Sequence, residues 1–226
     1  MKNLLYAFIA ATVFMVSCAD DITVTQVGGD DPVDPTAESY FFPLANNNFW
    51  EYESEGEVSG VQIVSSQNVN DTTFYNLSDI PTNVSAGQMY YEGNRGYVIS
   101  GEDDDGFIID VSDINQPYLF LDDNLPVGGT WEYNIEVEDA GETIQSRYVN
   151  TIAGRQSSIV VNGQTFNDIK VTDLDLYFSE NGGPEILFID ASLYWAKGIG
   201  LVKTELAIPL FSPDVSTGDL TDYQIN

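Results

Sequence analysis

The sequence predicts an all-β protein: a single antiparallel meander forming a curved sheet or incomplete barrel, with few and short helices. Three observations predict it. From Tyr40 onward the chain is a succession of short runs rich in aromatic and β-branched residues, separated by polar or glycine-bearing turns. Beyond Cys18, no segment of about eleven or more residues holds a 3.6-residue apolar period. Hydrophobic residues make up 43% and aromatics 12% of the 226 residues, enough for one sizeable core.

The strand-like runs follow in order. Phe49 to Tyr52, Val58 to Val64, Thr72 to Leu77, Met89 to Tyr91, Tyr97 to Ser100, Phe107 to Val111 and Tyr118 to Leu121 come first. Longer runs continue the pattern: Gly129 to Val137, Thr143 to Ile152, Ser158 to Val161, Thr165 to Phe178, Glu185 to Trp195 and Leu201 to Ile208. In Trp131-Glu132-Tyr133-Asn134-Ile135-Glu136-Val137 the large apolar groups alternate with acids and amides, so one face packs and the other is wet. Asn162-Gly163 predicts a two-residue hairpin, because a type I′ turn needs positive φ at both central positions. Gly93-Asn94 and Gly182-Gly183-Pro184 read as further reversals.

An internal echo accompanies these runs. Leu44 is followed by Trp50-Glu51-Tyr52 at the same spacing that separates Leu125 from Trp131-Glu132-Tyr133. It reads as two similar turn-to-strand entries rather than as a firm duplication.

Four blocks in fixed order carry a family resemblance. They are Tyr40-Phe41-Phe42-Pro43-Leu44 leading to Trp50-Glu51-Tyr52, Leu125 to Tyr133, Asn162 to Val171, and Tyr194-Trp195-Ala196-Lys197-Gly198-Ile199-Gly200-Leu201-Val202-Lys203. Together they resemble signatures of Bacteroidetes-type outer-membrane lipoproteins of no assigned activity. Such proteins are similar to the lipoprotein-localisation-factor group, whose curved sheet forms an incomplete barrel around an apolar concavity. This chain lacks the helices that plug that concavity, so either side chains fill the hollow or the fold is a flatter sandwich.

The N-terminus has its own logic. Lys2, an apolar run from Leu4 to Val16 and then Ser17-Cys18 form a secretory leader, too short at about 13 apolar residues to cross a bilayer. Met15-Val16-Ser17-Cys18 resembles a bacterial lipobox, in which the cysteine thiol takes diacylglycerol and the new N-terminus is acylated, commonly with palmitate. Residues 1–17 are then a signal peptide, 18–39 a lipidated cysteine with an acidic flexible tether, and 40–226 the antiparallel β domain. A flexible tether of roughly 21 residues spans about 25 Å. The acidic run just behind Cys18, Ala19-Asp20-Asp21, resembles a surface-export signal of Bacteroidetes lipoproteins, which implies the outer membrane and outward display.

Composition removes whole classes of chemistry. Histidine is absent and cysteine occurs once, which excludes His-based triads, His-ligated zinc and internal disulfides. With 36 acidic and 7 basic residues the net charge is −29, which opposes binding to a phosphate backbone and makes nucleic acid an unsuitable partner. The expected partners are the membrane, through lipid on Cys18, and a glycan, an apolar ligand or another envelope protein.

Candidate sites each have two readings. Asp103, Asp105 and Asp110 offer hard oxygens near Gly106 that suit calcium, but the block fits an EF-hand loop at neither end and equally reads as a solvated hairpin tip. Trp50, Trp131 and Trp195 either stack sugars or accept lipid, or they form the core. Lys197 and Lys203 read as partners for neighbouring acids. With 36 acids, paired carboxylates for glycoside hydrolysis arise by chance and point to no residue. The expectation is a non-catalytic, lipid-anchored envelope protein without a resident cofactor; a carboxylate-based glycan hydrolase and a lipid or lipoprotein carrier are the alternatives.

Overall fold

A computed structural model describes residues 23–25, 40–80, 82–99, 117–139 and 142–226. Among them every regular element is a strand: β1 (Thr23–Thr25), β2 (Phe49–Ser54), β3 (Glu57–Val69), β4 (Thr72–Ile80), β5 (Ser85–Glu92), β6 (Arg95–Ile99), β7 (Tyr118–Asp122), β8 (Thr130–Asp139), β9 (Glu142–Val161), β10 (Gln164–Glu180), β11 (Ile186–Ala196), β12 (Gly200–Ile208) and β13 (Ser212–Gln224). They form one antiparallel sheet in the order β1-β8-β9-β10-β11-β12-β13-β2-β3-β4-β5-β6-β7.

Two meanders, β2 to β7 and β8 to β13, are joined where the last strand returns to the first, with Leu220 opposite Tyr52 and Tyr223 opposite Trp50. The sheet curls into a nearly closed barrel with one seam. At that seam β7 and β8, although successive in the chain, share no backbone ladder among the described residues. β1 lies along the free edge of β8, with Val24 opposite Trp131. The sequence echo has a structural counterpart, because Trp50 and Trp131 sit in the opening strands of the two meanders.

Local chemistry sets the turns. At Asn162-Gly163 both central residues have positive φ, 49° and 78°, as the type I′ hairpin demands. Asn70-Asp71 between β3 and β4 repeats the device at 49° and 67°. Register shifts at Ile63/Ser65, Val171/Thr172 and Tyr194/Trp195 bend the sheet, since an extra residue in one strand increases local twist.

Two sequence expectations change. The runs Thr143 to Ile152 and Ser158 to Val161 are one strand of 20 residues, β9, because β10 pairs along it past Gly154. The strand β13 has no counterpart in the expected runs. Its segment carries Pro213, Gly218 and three aspartates, residue types that strands disfavour, and ladders from β12 and β2 hold it on both sides. The expected strand at Phe107 to Val111 lies outside the described residues.

The meander gives the barrel two ends. The β5–β6, β7–β8, β9–β10 and β11–β12 turns lie at the end where the chain enters the domain. There Gly198 N donates to Tyr40 O at 2.8 Å, and the Tyr40 ring stacks on Tyr91 with centroids 4.2 Å apart. The C-terminus closes the same end, with Asn226 N donating to the Oδ1 of buried Asn48 at 2.9 Å. The β10–β11 and β12–β13 turns lie at the opposite end.

Candidate functional site

Side chains fill the interior at the entry end. Phe42, reaching inward from the entering chain, stacks on Trp50 with centroids 4.4 Å apart and meets Trp195 edge-on at 6.1 Å. Phe120 of β7 lies 5.9 Å from Trp195 and completes the plug. Of the two options left by the sequence, filled hollow or flat sandwich, the fold takes the first.

The reading of the tryptophans as a sugar-stacking or lipid-accepting surface is corrected by their burial. Trp50, Trp131 and Trp195 are 0%, 1% and 0% exposed, so no ring face is open to a ligand from solvent. Each indole N–H is also satisfied internally: Trp50 Nε1 donates to Ile199 O at 2.6 Å, Trp131 Nε1 to Leu119 O at 2.8 Å, and Trp195 Nε1 to Thr172 Oγ1 at 2.9 Å. The alternation at Tyr194-Trp195 resolves as one ring outward and one inward. Tyr194 OH donates to Glu205 Oε2 at 2.9 Å on the outer face, and Trp195 packs the core.

Cys18 and the acidic block with Asp103, Asp105 and Asp110 lie outside the described residues. Among the described residues, no three His, Cys, Asp or Glu side chains gather as a metal site.

A shielded grouping of ionisable side chains forms where β7, β10 and the entering chain meet. Lys170 of β10 is 0% exposed, and its Nζ donates to Asp123 Oδ1 at 2.7 Å while lying 4.5 Å from the centre of the Phe41 ring. Beside it Arg95 Nε donates to Asp122 Oδ2 at 2.9 Å, and Asn124 N donates to Asp122 Oδ1 at 2.9 Å. Burial pushes the Asp123 carboxyl up, outweighing the lowering pull of Lys170. Burial likewise brings the Lys170 ammonium down, against the raising influence of Asp123.

The signal was present in Ile169-Lys170-Val171, a lysine inside an apolar run, and in Asp122-Asp123 after Leu119-Phe120-Leu121. Both carboxylates are neutralised by a cation, and the lysine has no route to solvent. The cluster therefore pins the β7–β8 connection to β10 and to the entering chain, and exposes neither a nucleophile nor a free acid.

A second grouping lies on the outer face. A cleft of about 270 Å³ is lined by Asn134 and Glu136 of β8, Gln145 and Arg147 of β9, and Glu185. Arg147 is fully engaged there: Nη2 and Nε donate to the two Glu185 carboxylate oxygens at 2.6 and 2.8 Å, and the guanidinium lies 4.5 Å over Tyr177. The hydrogen bond from Arg147 lowers the Glu185 pKa. Asp175 and Asp190 face each other across β10 and β11, and the Asp175 pKa is raised by burial and then by Asp190. Lys203 pairs with Glu205 at 2.6 Å, as its expected role of offsetting acids requires.

No family model matches the chain, and no curated protein matches it. Among solved structures it is similar to a protein inferred to be exported, with a YmcC-like fold, from Bacteroides fragilis NCTC 9343. That likeness has a TM-score of 0.50 at 10% identity and covers 82% of this chain and 99% of that one. A lipoprotein inferred from Parabacteroides distasonis ATCC 8503 matches with a TM-score of 0.44 at 14% identity over the same shares. The hypothetical lipoprotein YmcC of Escherichia coli K12 matches with a TM-score of 0.34 at 8% identity, covering 82% of this chain and 88% of that one. The nearly closed meander of this chain is thus similar to the YmcC-like fold of the Bacteroides fragilis protein.

Proposed function

We propose that the chain is a non-catalytic, lipid-anchored envelope protein whose acidic β domain hangs from an outer membrane by acyl groups on Cys18 and engages an envelope partner. The carrying observation is the sequence Met15-Val16-Ser17-Cys18, which places the chain's single thiol at the end of an apolar leader. Thioether-linked lipid with an N-acyl chain buries many CH₂ groups at about 0.8 kcal/mol each, far more than one myristoyl chain. The fold likeness to a protein inferred to be exported supports export of this chain.

The interior favours binding at the surface over transport or hydrolysis. A lipid carrier needs an apolar hollow, and at the entry end Phe42, Trp50, Phe120 and Trp195 occupy it. A carboxylate hydrolase needs an acid and a base facing a substrate, and the buried Asp122 and the largely shielded Asp123 are each held by a cation, which removes that pair from consideration.

The test is metabolic labelling with an alkyne fatty acid in cells making the full chain or its C18A variant, followed by mass spectrometry of the mature terminus. Wild-type protein is expected to carry diacylglyceryl and acyl mass on Cys18 and to partition into detergent. An unmodified thiol overturns the reading. Protease treatment of intact cells then tests outward display, which predicts cleavage without lysis.

A further inference from the structure

The end of the barrel opposite the entering chain carries an exposed apolar patch. Ile186 is 44% exposed, Leu210 55%, Phe211 57% and Val215 58%. Leu210 and Phe211 form the β12–β13 turn, Val215 follows in β13, and Ile186 opens β11 at the same end. The Phe188 and Phe211 rings meet edge-on with centroids 6.1 Å apart, and Val215 lies opposite Ala207, which itself lies opposite Asp190 of β11. Scattered surface hydrophobes carry little meaning, but four gathered at one end of so acidic a chain mark an interaction site.

The place of the patch decides what reaches it. Tyr40 binds Gly198 and Gly93 at the entry end, and β1 pairs with the first residues of β8 at that same end. Tyr40 and the paired residues Thr23–Thr25 therefore both lie at the entry end, while the β10–β11 and β12–β13 turns lie at the other. Phe211 is thus at the end of the domain away from Tyr40, and an attachment through the preceding residues leaves it uncovered.

Charge narrows the occupant. Glu185, Asp190 and Asp214 border the patch, and the cation beside it, Arg147, is already bound to Glu185. With 36 acids against 7 bases, a second copy and an anionic lipid surface are both repelled. We propose that this patch is the docking face for a protein partner whose own apolar centre is framed by lysine and arginine. The outward direction of the patch rests on the anchor reading; its chemistry does not.

The test uses the full chain in phosphatidylcholine nanodiscs and a fluorescein-labelled amphipathic Leu/Lys peptide as the probe, with a Leu/Glu peptide as the control. Anisotropy titration is expected to show salt-sensitive binding of the Leu/Lys peptide alone. The charge-neutral F211S/V215S variant should weaken it by about tenfold or more, as loss of central apolar anchors does. V160S, which removes an equally exposed apolar residue at the entry end, should leave it unchanged. I186S/L210S is a second variant, read if F211S/V215S loses its cooperative unfolding transition. Equal binding by wild type and the patch variants overturns the proposal, because charge alone then accounts for it. If the chain does not enter nanodiscs, the anchor reading fails, and the same titration on free chain still decides the patch.

Discussion

Lys170 Nζ sits 2.7 Å from Asp123 Oδ1, with the lysine side chain wholly shielded from solvent. Taking both charges out of water costs more than their attraction returns, which is why burial shifts each of them toward its neutral form. K170M leaves the carboxylate buried without its cation and is expected to cost about 3–5 kcal/mol at neutral pH.

The pH dependence follows from the sign of the Asp123 shift. A carboxyl whose folded pKa is raised contributes stability that is full below the usual carboxylate range and is lost as pH rises through the shifted value. Removing Lys170 enlarges that shift. Urea midpoints of K170M should therefore fall more steeply than those of wild type between acid and neutral pH. The K170M/D123N double variant should lose this added slope and recover most of the loss. A K170M profile parallel to wild type would show that the pair is already neutral.

The seam gives a second expectation. Trp131 of β8 reaches across to β7 through its Nε1–H, donated to Leu119 O at 2.8 Å, where the backbone ladder is missing. W131F removes the donor and strands a buried carbonyl, at a cost of about 2–3 kcal/mol. Hydrogen exchange should rise first in β7 and β8, ahead of global unfolding. Uniform acceleration across the sheet would mean that the indole bond does not hold the seam.

Two buried tyrosines on either side of that seam should respond in opposite ways. Tyr118 OH donates to Asn150 Oδ1 at 3.2 Å, whereas buried Tyr133 OH has no partner. Desolvation alone pushes the Tyr133 pKa up to about 12. Y133F is expected to be neutral or stabilising by about 1 kcal/mol, and Y118F to cost about 1 kcal/mol. Thermal melts of the two variants check the order, and a destabilised Y133F would reveal a bound water or ligand at that hydroxyl.

Gly200 explains why the last sequence block needs its glycines. Its φ is +120°, and an added Cβ would lie 2.8 Å from Trp50 Nε1 and 3.0 Å from the Phe42 ring. G200A therefore combines left-handed strain with displacement of the aromatic plug, at about 3 kcal/mol or more. Gly198, at φ +73°, has nothing within 4 Å of its added Cβ. G198A should cost only about 1 kcal/mol. Denaturant unfolding of both variants separates strain from crowding, and equal losses would contradict the close approach seen at Gly200.

Alternation and turn chemistry made the strands legible. Trp131, Tyr133 and Ile135 face inward with Glu132, Asn134 and Glu136 outward, and Asn162-Gly163 closes its hairpin with the expected φ values. The strand β13 escaped because Pro213, Gly218 and its aspartates contradict local propensity, and its partners supply what its composition lacks. Lys170 escaped for a related reason. A lysine in a strand reads as a solvent-facing residue until the fold places Asp123, 47 positions earlier, against it.

By itself the sequence determined an all-β meander, the places of its tight turns, the twin tryptophan strands and a chain without histidine. These follow from interactions among residues close in the chain, where a period of two and a positive φ leave visible marks. Only the tertiary structure decided that β13 returns to β2, that the aromatic rings fill the hollow rather than line it, and that the apolar patch and the entering chain occupy opposite ends. Those outcomes join residues as distant as Asn48 and Asn226, 178 positions apart, and no local pattern encodes which distant surfaces meet when apolar area leaves water.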